Sequence, residues 1–126
     1  MLRCALLALS LTVLAVPASA QVQRQFPATA LRGELLVTLP PEVTLNRQPA
    51  RLAPGARIRG LDNMLVMSGA ALGQRLVVNY TLDPQGQMLD VWILNPAEAT
   101  RSPWPRSPQE AAAWQFNWDQ QTWSRP

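Results

Sequence analysis

The chain has 126 residues, 48% of them hydrophobic and 15% charged, which is enough for one modest domain and too little for two of ordinary size. Its basic side chains are all arginine: there are eleven Arg, no Lys, no His, and a single Cys at position 4. The formal charge of +3 and the pI near 10.4 reflect a small excess of groups that do not titrate, not a dense basic surface, so no nucleic-acid partner is expected.

Met1-Leu2-Arg3-Cys4 is a short basic start, residues 5–16 are apolar, and Pro17-Ala18-Ser19-Ala20 closes the run with small residues at 18 and 20. This is the pattern of a signal peptide over residues 1–20, removed to leave Gln21 first. The alternative is a retained membrane anchor, although twelve helical residues span only about 18 Å of a hydrocarbon core about 30 Å thick. Cleavage leaves 106 residues, takes Arg3 so that +3 becomes +2, and removes the only Cys. The mature protein is expected to be periplasmic or secreted, without a membrane span, and to fold without disulfides.

Residues 21–32 carry no hydrophobic period and include Pro27, so an extended leader is expected, with Phe26 available as an anchor. Gly33-Glu34-Leu35-Leu36-Val37-Thr38-Leu39 reads as a strand stopped by Pro40-Pro41, and Val43-Thr44-Leu45 as the start of a second. Pro49, Pro54 and Gly55 break up the next stretch. Beyond them Ala56, Ile58 and Gly60 alternate with Arg57 and Arg59, a half-buried strand with two guanidiniums on its wet face. Leu61-Asp62-Asn63 is a turn signal, residues 64–67 are a short apolar run, and 68–74 are ambiguous between a helical turn and a small-residue loop.

A hairpin over residues 75–95 is the clearest element. Leu76, Val78, Tyr80 and Leu82 alternate, Asp83-Pro84-Gln85-Gly86 turns the chain, and Leu89, Val91 and Ile93 alternate on the return. After Asn95 the prolines Pro96, Pro103, Pro105 and Pro108 keep the chain extended. Ser107-Pro108-Gln109-Glu110 is a capping-box signal opening a short helix near 108–114. The organisation is therefore a signal peptide over 1–20, a leader over 21–32, a β domain over 33–95 and a Pro/Trp-rich tail over 96–126. The fold class is mostly β: a small antiparallel barrel or curled sheet of about five or six strands with a short C-terminal helix in the tail.

Once the leader is removed no His, Lys or Cys remains, which excludes Ser-His and Cys-His nucleophilic pairs, Schiff-base chemistry, thiolate redox centres and imidazole or thiolate metal sites. Only carboxylates are left for catalysis, and a carboxylate-dependent glycan hydrolase needs two flanking one bond. Asp62 and Asp83 have sufficient roles in their turns, and no phosphate loop, calcium loop or nucleotide fingerprint occurs. No catalytic residue, metal or cofactor is expected.

Two groups of side chains are candidates for binding. Residues 47–75 hold five Arg against Asp62 alone, and Arg57 and Arg59 point the same way, suited to phosphate or carboxylate; the plainer reading is a solvated strand face. Trp92 lies on the hairpin, and Trp104, Trp114, Trp118 and Trp123 lie in the tail. Those rings suit a sugar face or a partner's groove, or else Trp114 and Trp118, four apart, fold back to cover the sheet.

Leu52-Ala53-Pro54-Gly55-Ala56-Arg57-Ile58-Arg59 and Val91-Trp92-Ile93-Leu94 give the chain a resemblance to small exported proteins of Gram-negative bacteria without assigned function. Residues 76–94, with 111–116, are similar to the strand, Asp-Pro-x-Gly turn, strand and helix of the TonB C-terminal domain, although four candidate strands precede the hairpin here. Neither resemblance carries over a functional residue; the second implies a periplasmic interaction domain. The expectation is a non-catalytic accessory or binding protein of the cell envelope that meets a protein partner or an anionic cell-surface component, with its oligomeric state open.

Overall fold

The computed structural model describes residues 23–126. The expected signal peptide lies outside the described residues. Strand β1 (Leu31–Leu39) turns Leu31, Leu35 and Val37 into the core by period-two alternation. It begins two residues before Gly33, because Leu31 and Arg32 already pair with Tyr80 and Asn79. Strand β2 (Glu42–Leu45) returns antiparallel to β1, and β3 (Gln48–Arg59) follows β2 through a two-residue turn at Asn46-Arg47.

Pro49 and Pro54 lie inside β3 instead of interrupting it. Pro49 pairs with Thr44 near the start of the strand. Pro54 and Gly55, the latter at φ 77°, sit in the irregularity between Leu52 and Arg57, where the pairing of β3 with β6 is interrupted. Strands tolerate proline in both places, because a regular ladder hydrogen bond is not required there. β4 (Leu65–Val66) pairs with the end of β3, and residues Ser68–Ala71 form a single 3-10 turn. The hairpin is present as β5 (Arg75–Leu82) and β6 (Met88–Ile93). Its turn is held by the Asp83 carboxylate, which accepts from the N–H groups of Gln85 (3.0 Å) and Gln87 (2.8 Å), and Gly86 takes φ 80°.

The strands form a curled sheet in the order β2-β1-β5-β6-β3-β4, with β2 also pairing with β3. The pairings thus run from β1 through β2, β3, β6 and β5 back to β1. An odd number of strands closed in this way cannot all alternate in direction. One neighbouring pair must run parallel, and it is β3 with β6. The sheet is therefore mixed where antiparallel pairing throughout was expected. Inside the curl, Leu35, Val37, Val43, Leu52, Ile58, Val78, Met88 and Val91 form the main core.

The outer face is different. Register places Arg32, Asn79, Trp92, Arg59 and Leu65 in one row across β1, β5, β6, β3 and β4. The leader and tail cover the first three of these. The tail contributes α1 (Pro96–Ala99), α2 (Pro108–Ala113) and a hairpin of β7 (Gln115–Asn117) and β8 (Thr122–Ser124). Ser107 caps α2 as its sequence predicts, accepting from the Glu110 N–H at 3.2 Å. The β7–β8 hairpin was not foreseen: it is two three-residue strands without a period long enough to read. Among the described residues no helix is long and apolar enough to cross a membrane.

Under the tail, the Arg24 guanidinium forks onto the Glu98 carboxylate, with Nε to Oε2 at 3.0 Å, and also donates to the carbonyls of Gly60 (2.8 Å) and Ile93 (2.7 Å). Glu98 in turn completes a capping box with Asn95. Both charged groups are buried. Arg24→Met is expected to cost about 3 kcal/mol in denaturant unfolding because it strands the Glu98 charge, and Arg24→Met/Glu98→Gln to recover part of that loss. Equal losses in the single and double variants would show that a stranded charge is not the cause.

Candidate functional site

The sheet's outer face and the tail enclose a cleft of about 610 Å³, within the range of small-ligand sites. Its walls come from distant parts of the chain: Arg32 and Glu34 from β1, Arg47 from the β2–β3 turn, and Trp104, Arg106 and Arg125 from the tail. Gly33 lies between Arg32 and Glu34 in this lining, where a Cβ would come within 2.8 Å of the Leu45 side chain and 3.0 Å of the Tyr80 ring. Two hydrogen bonds seat the tail here. The Arg32 N–H donates to the Pro105 carbonyl (2.8 Å), and Trp104 Nε1 donates to the Ala30 carbonyl (3.0 Å).

Four guanidiniums line the cleft against one carboxylate, and that carboxylate, Glu34, is 2.8 Å from Arg75 outside the lining. Arg32 is committed structurally. Its Nε donates to Asn79 Oδ1 (2.9 Å), and its terminal nitrogens donate to the carbonyls of Glu98, Ala99 and Arg101, the last carbonyls of α1 and its exit. Its guanidinium also stacks 5.1 Å from the Trp104 ring centroid. Burial above all, with help from Arg106 and Arg101 and against the pull of Glu98, brings its pKa down from the ordinary arginine value to about 10. Positive charge at this place is thus under-compensated. Arg101 Nη1 is also buried without a hydrogen-bond partner among the described residues.

Arg47 reaches the cleft from a strained position. In the Asn46-Arg47 turn both residues have positive φ, 52° and 65°, as a tight hairpin requires. Asn46 suits this geometry and secures it, its Oδ1 accepting from the Glu34 N–H at 2.9 Å. The second position favours glycine, yet an arginine occupies it and lines the cleft.

The side chains singled out from sequence divide into groups. Trp92, Trp104 and Trp123 gather around Phe26 in one aromatic cluster, with edge-to-face contacts of Phe26 to Trp92 (5.5 Å) and Trp104 (6.0 Å), and of Trp104 to Trp123 (6.2 Å). Phe26, Trp104 and Trp123 are buried, and Gln121, fully buried, ties them by accepting from the Phe26 N–H at 2.7 Å. Trp114 is half-buried, with Arg125 over its ring at 5.1 Å, and Trp118 is 49% exposed. Trp114 and Trp118 do not share a helical face: α2 closes when the Trp114 N–H donates to the Glu110 carbonyl, and the chain continues as β7. Arg57 is exposed and Arg59 half-buried, both on the outer side of β3, and neither lines the cleft.

Of the cleft arginines, Arg47 falls in the Arg-rich segment 47–75 noted from sequence, whereas Arg32, Arg106 and Arg125 were not singled out. They are spread over 94 positions and follow no spacing motif; only docking of the tail unites them. The one local clue was the excess of arginine over residues 47–75, which includes Arg47. Among the described residues no cluster of three or more His, Cys, Asp or Glu could hold a metal ion. Scanned against known protein families, curated proteins and solved structures, the chain finds no match.

Arg47→Gly is expected to raise stability by roughly 1 kcal/mol by relieving the left-handed backbone while removing one cleft cation, read as a higher melting temperature. Trp118→Phe is expected to remove most of the acrylamide-accessible tryptophan emission, since Trp104 and Trp123 are buried. Unchanged quenching in that variant would contradict the packing of the tail.

Proposed function

We propose that this chain is a non-catalytic binding protein of the cell envelope that holds an anionic ligand, bearing carboxylate or phosphate groups, in the arginine-lined cleft. The observation that carries the reading is the set of four arginines lining one cleft whose single carboxylate is engaged by Arg75. Guanidinium forks bind carboxylate and phosphate with two parallel hydrogen bonds, and a half-buried setting strengthens each of them. Arg47, Arg106 and Arg125 supply the free donors, and Arg32 supplies fixed charge at the floor. Trp104, already stacked with Arg32, adds apolar surface beside the charges. The cell-envelope setting rests on the signal-peptide pattern of residues 1–20.

Binding is favoured over glycan hydrolysis by the chemistry of the lining. A glycosidase needs a pair of carboxyl groups about 5–10 Å apart across one bond. The cleft offers Glu34 and no second acid. The buried carboxylate, Glu98, belongs to the Arg24 ion pair.

Titration with inorganic pyrophosphate and with a short oligogalacturonate, followed by tryptophan emission, tests the proposal. Saturable binding is expected, weakened by added salt and reduced about tenfold by Arg106→Gln. Because the lining holds no His, Lys or Cys and galacturonate carboxylates are already ionised, affinity for the oligogalacturonate is expected to be flat from about pH 6 to 9. It should fall above pH 10, where Arg32 loses its proton earlier than an ordinary arginine. Absence of saturable binding to either probe, or affinity that Arg106→Gln leaves unchanged, would remove the proposal.

A further inference from the structure

We propose that Trp114 is a positioning residue for anion binding: its indole holds the Arg125 guanidinium in place and leaves the N–H donors of that group to fork onto one carboxylate or phosphate in the cleft. The role rests on the reading of the cleft as an anion site. Arg125 lines the cleft, and Trp114 does not. The tail hairpin builds the contact between them. β7 and β8 align Phe116 with Trp123 and Gln115 with Ser124, so one step further the register sets Trp114 opposite Arg125. Side chains opposite one another in an antiparallel ladder are close neighbours. Accordingly, the Arg125 Cζ lies over the Trp114 ring, 5.1 Å from its centroid. Trp114 is itself fixed: it is half-buried, it packs on the cluster of Phe26, Trp104 and Trp123, and its N–H donates to the Glu110 carbonyl at 2.9 Å.

The same chain shows what a guanidinium held in this way can do. Arg32 lies at the same 5.1 Å over Trp104, and from there its nitrogens donate to Asn79 Oδ1 and to the carbonyls of Glu98, Ala99 and Arg101. Contact with an indole and a full set of hydrogen bonds are therefore compatible: the ring attracts the cation, while the N–H groups point outward in the guanidinium plane. Arg125 has the indole contact but no ion pair among the described residues, so its forked donors are open to a ligand. Arg47 and Arg106 also line the cleft and have no such ring contact. An exposed arginine otherwise samples many rotamers, and ordering it on binding opposes affinity. Trp114 meets part of that entropy loss before the ligand arrives. What the pair recognises is a group that presents two oxygens to one fork, not negative charge in general.

The test measures affinity for inorganic pyrophosphate and for a short oligogalacturonate by calorimetry at one ionic strength. Arg125→Gln is expected to weaken binding about tenfold and Trp114→Leu about fivefold, with Trp114→Tyr within a factor of about two of the wild type. Trp114→Leu/Arg125→Gln is expected to bind no more weakly than Arg125→Gln, because the ring acts only through that arginine. Arg125→Lys leaves Trp114 packed and the charge in place but has no fork, and is expected to lose about fivefold. If Trp114→Leu does not fold, Trp114→Tyr and Arg125→Lys decide. Wild-type binding that Arg106→Gln weakens and Trp114→Leu leaves unchanged would overturn this inference alone, whereas a wild type that binds neither probe removes the cleft reading with it. Equal losses for Tyr and Leu at position 114, additive losses in the double variant, or an Arg125→Lys variant that binds as the wild type does would each overturn the proposal.

Discussion

Two buried arginines make the rest of this structure possible. The outer face of the curled sheet presents Arg32 and Asn79, side chains that a second layer could cover only if their hydrogen bonds were met. Arg24 and Arg32 meet most of that condition by reaching from the leader and β1 into α1, while Asn79 Nδ2 is left without a partner among the described residues. Arg24 holds the Glu98 carboxylate, and Arg32 holds the carbonyls at the helix exit. A four-residue helix has no stability of its own in water. Here Asn95 caps one end, Arg32 satisfies the other, and the pair fixes where the tail leaves the sheet.

From that fixed point the aromatic layer follows. Trp104 lands on the Ala30 carbonyl and beneath Arg32, Phe26 fills the space between Trp92 and Trp104, and the β7–β8 hairpin brings Trp123 onto the same cluster. Three tryptophans thereby serve a second core, which a small chain without disulfides among its described residues needs. The rings that looked available to a ligand are largely consumed in holding the tail. The binding capacity passes instead to the arginines that the docked tail brings to the cleft's rim, and Arg47 keeps a strained backbone there that glycine would relieve.

The parallel seam between β3 and β6 shows the same dependence on closure. The longer strands were readable from their own alternation, most clearly in the 75–95 hairpin, where apolar period and turn chemistry agree. The direction of β6 relative to β3 was not, because it follows from how many strands close on one another. Pro54 misled for a related reason: proline marks a break in a regular ladder, and here it falls in the irregularity between Leu52 and Arg57, where the β3–β6 pairing is interrupted.

Local chemistry in the sequence thus determined the strands, the Asp83 and Asp62 turns, the Ser107 cap and the absence of His and Lys, because periodicity, capping and composition act over a few residues. Only the tertiary structure decided which arginines are buried, which are cleft walls and which remain on the wet face. Arg24, Arg32, Arg57 and Arg106 are alike as residues; burial, partners and neighbouring charge distinguish them, and those arise when residues as far apart as 24 and 98 come into contact.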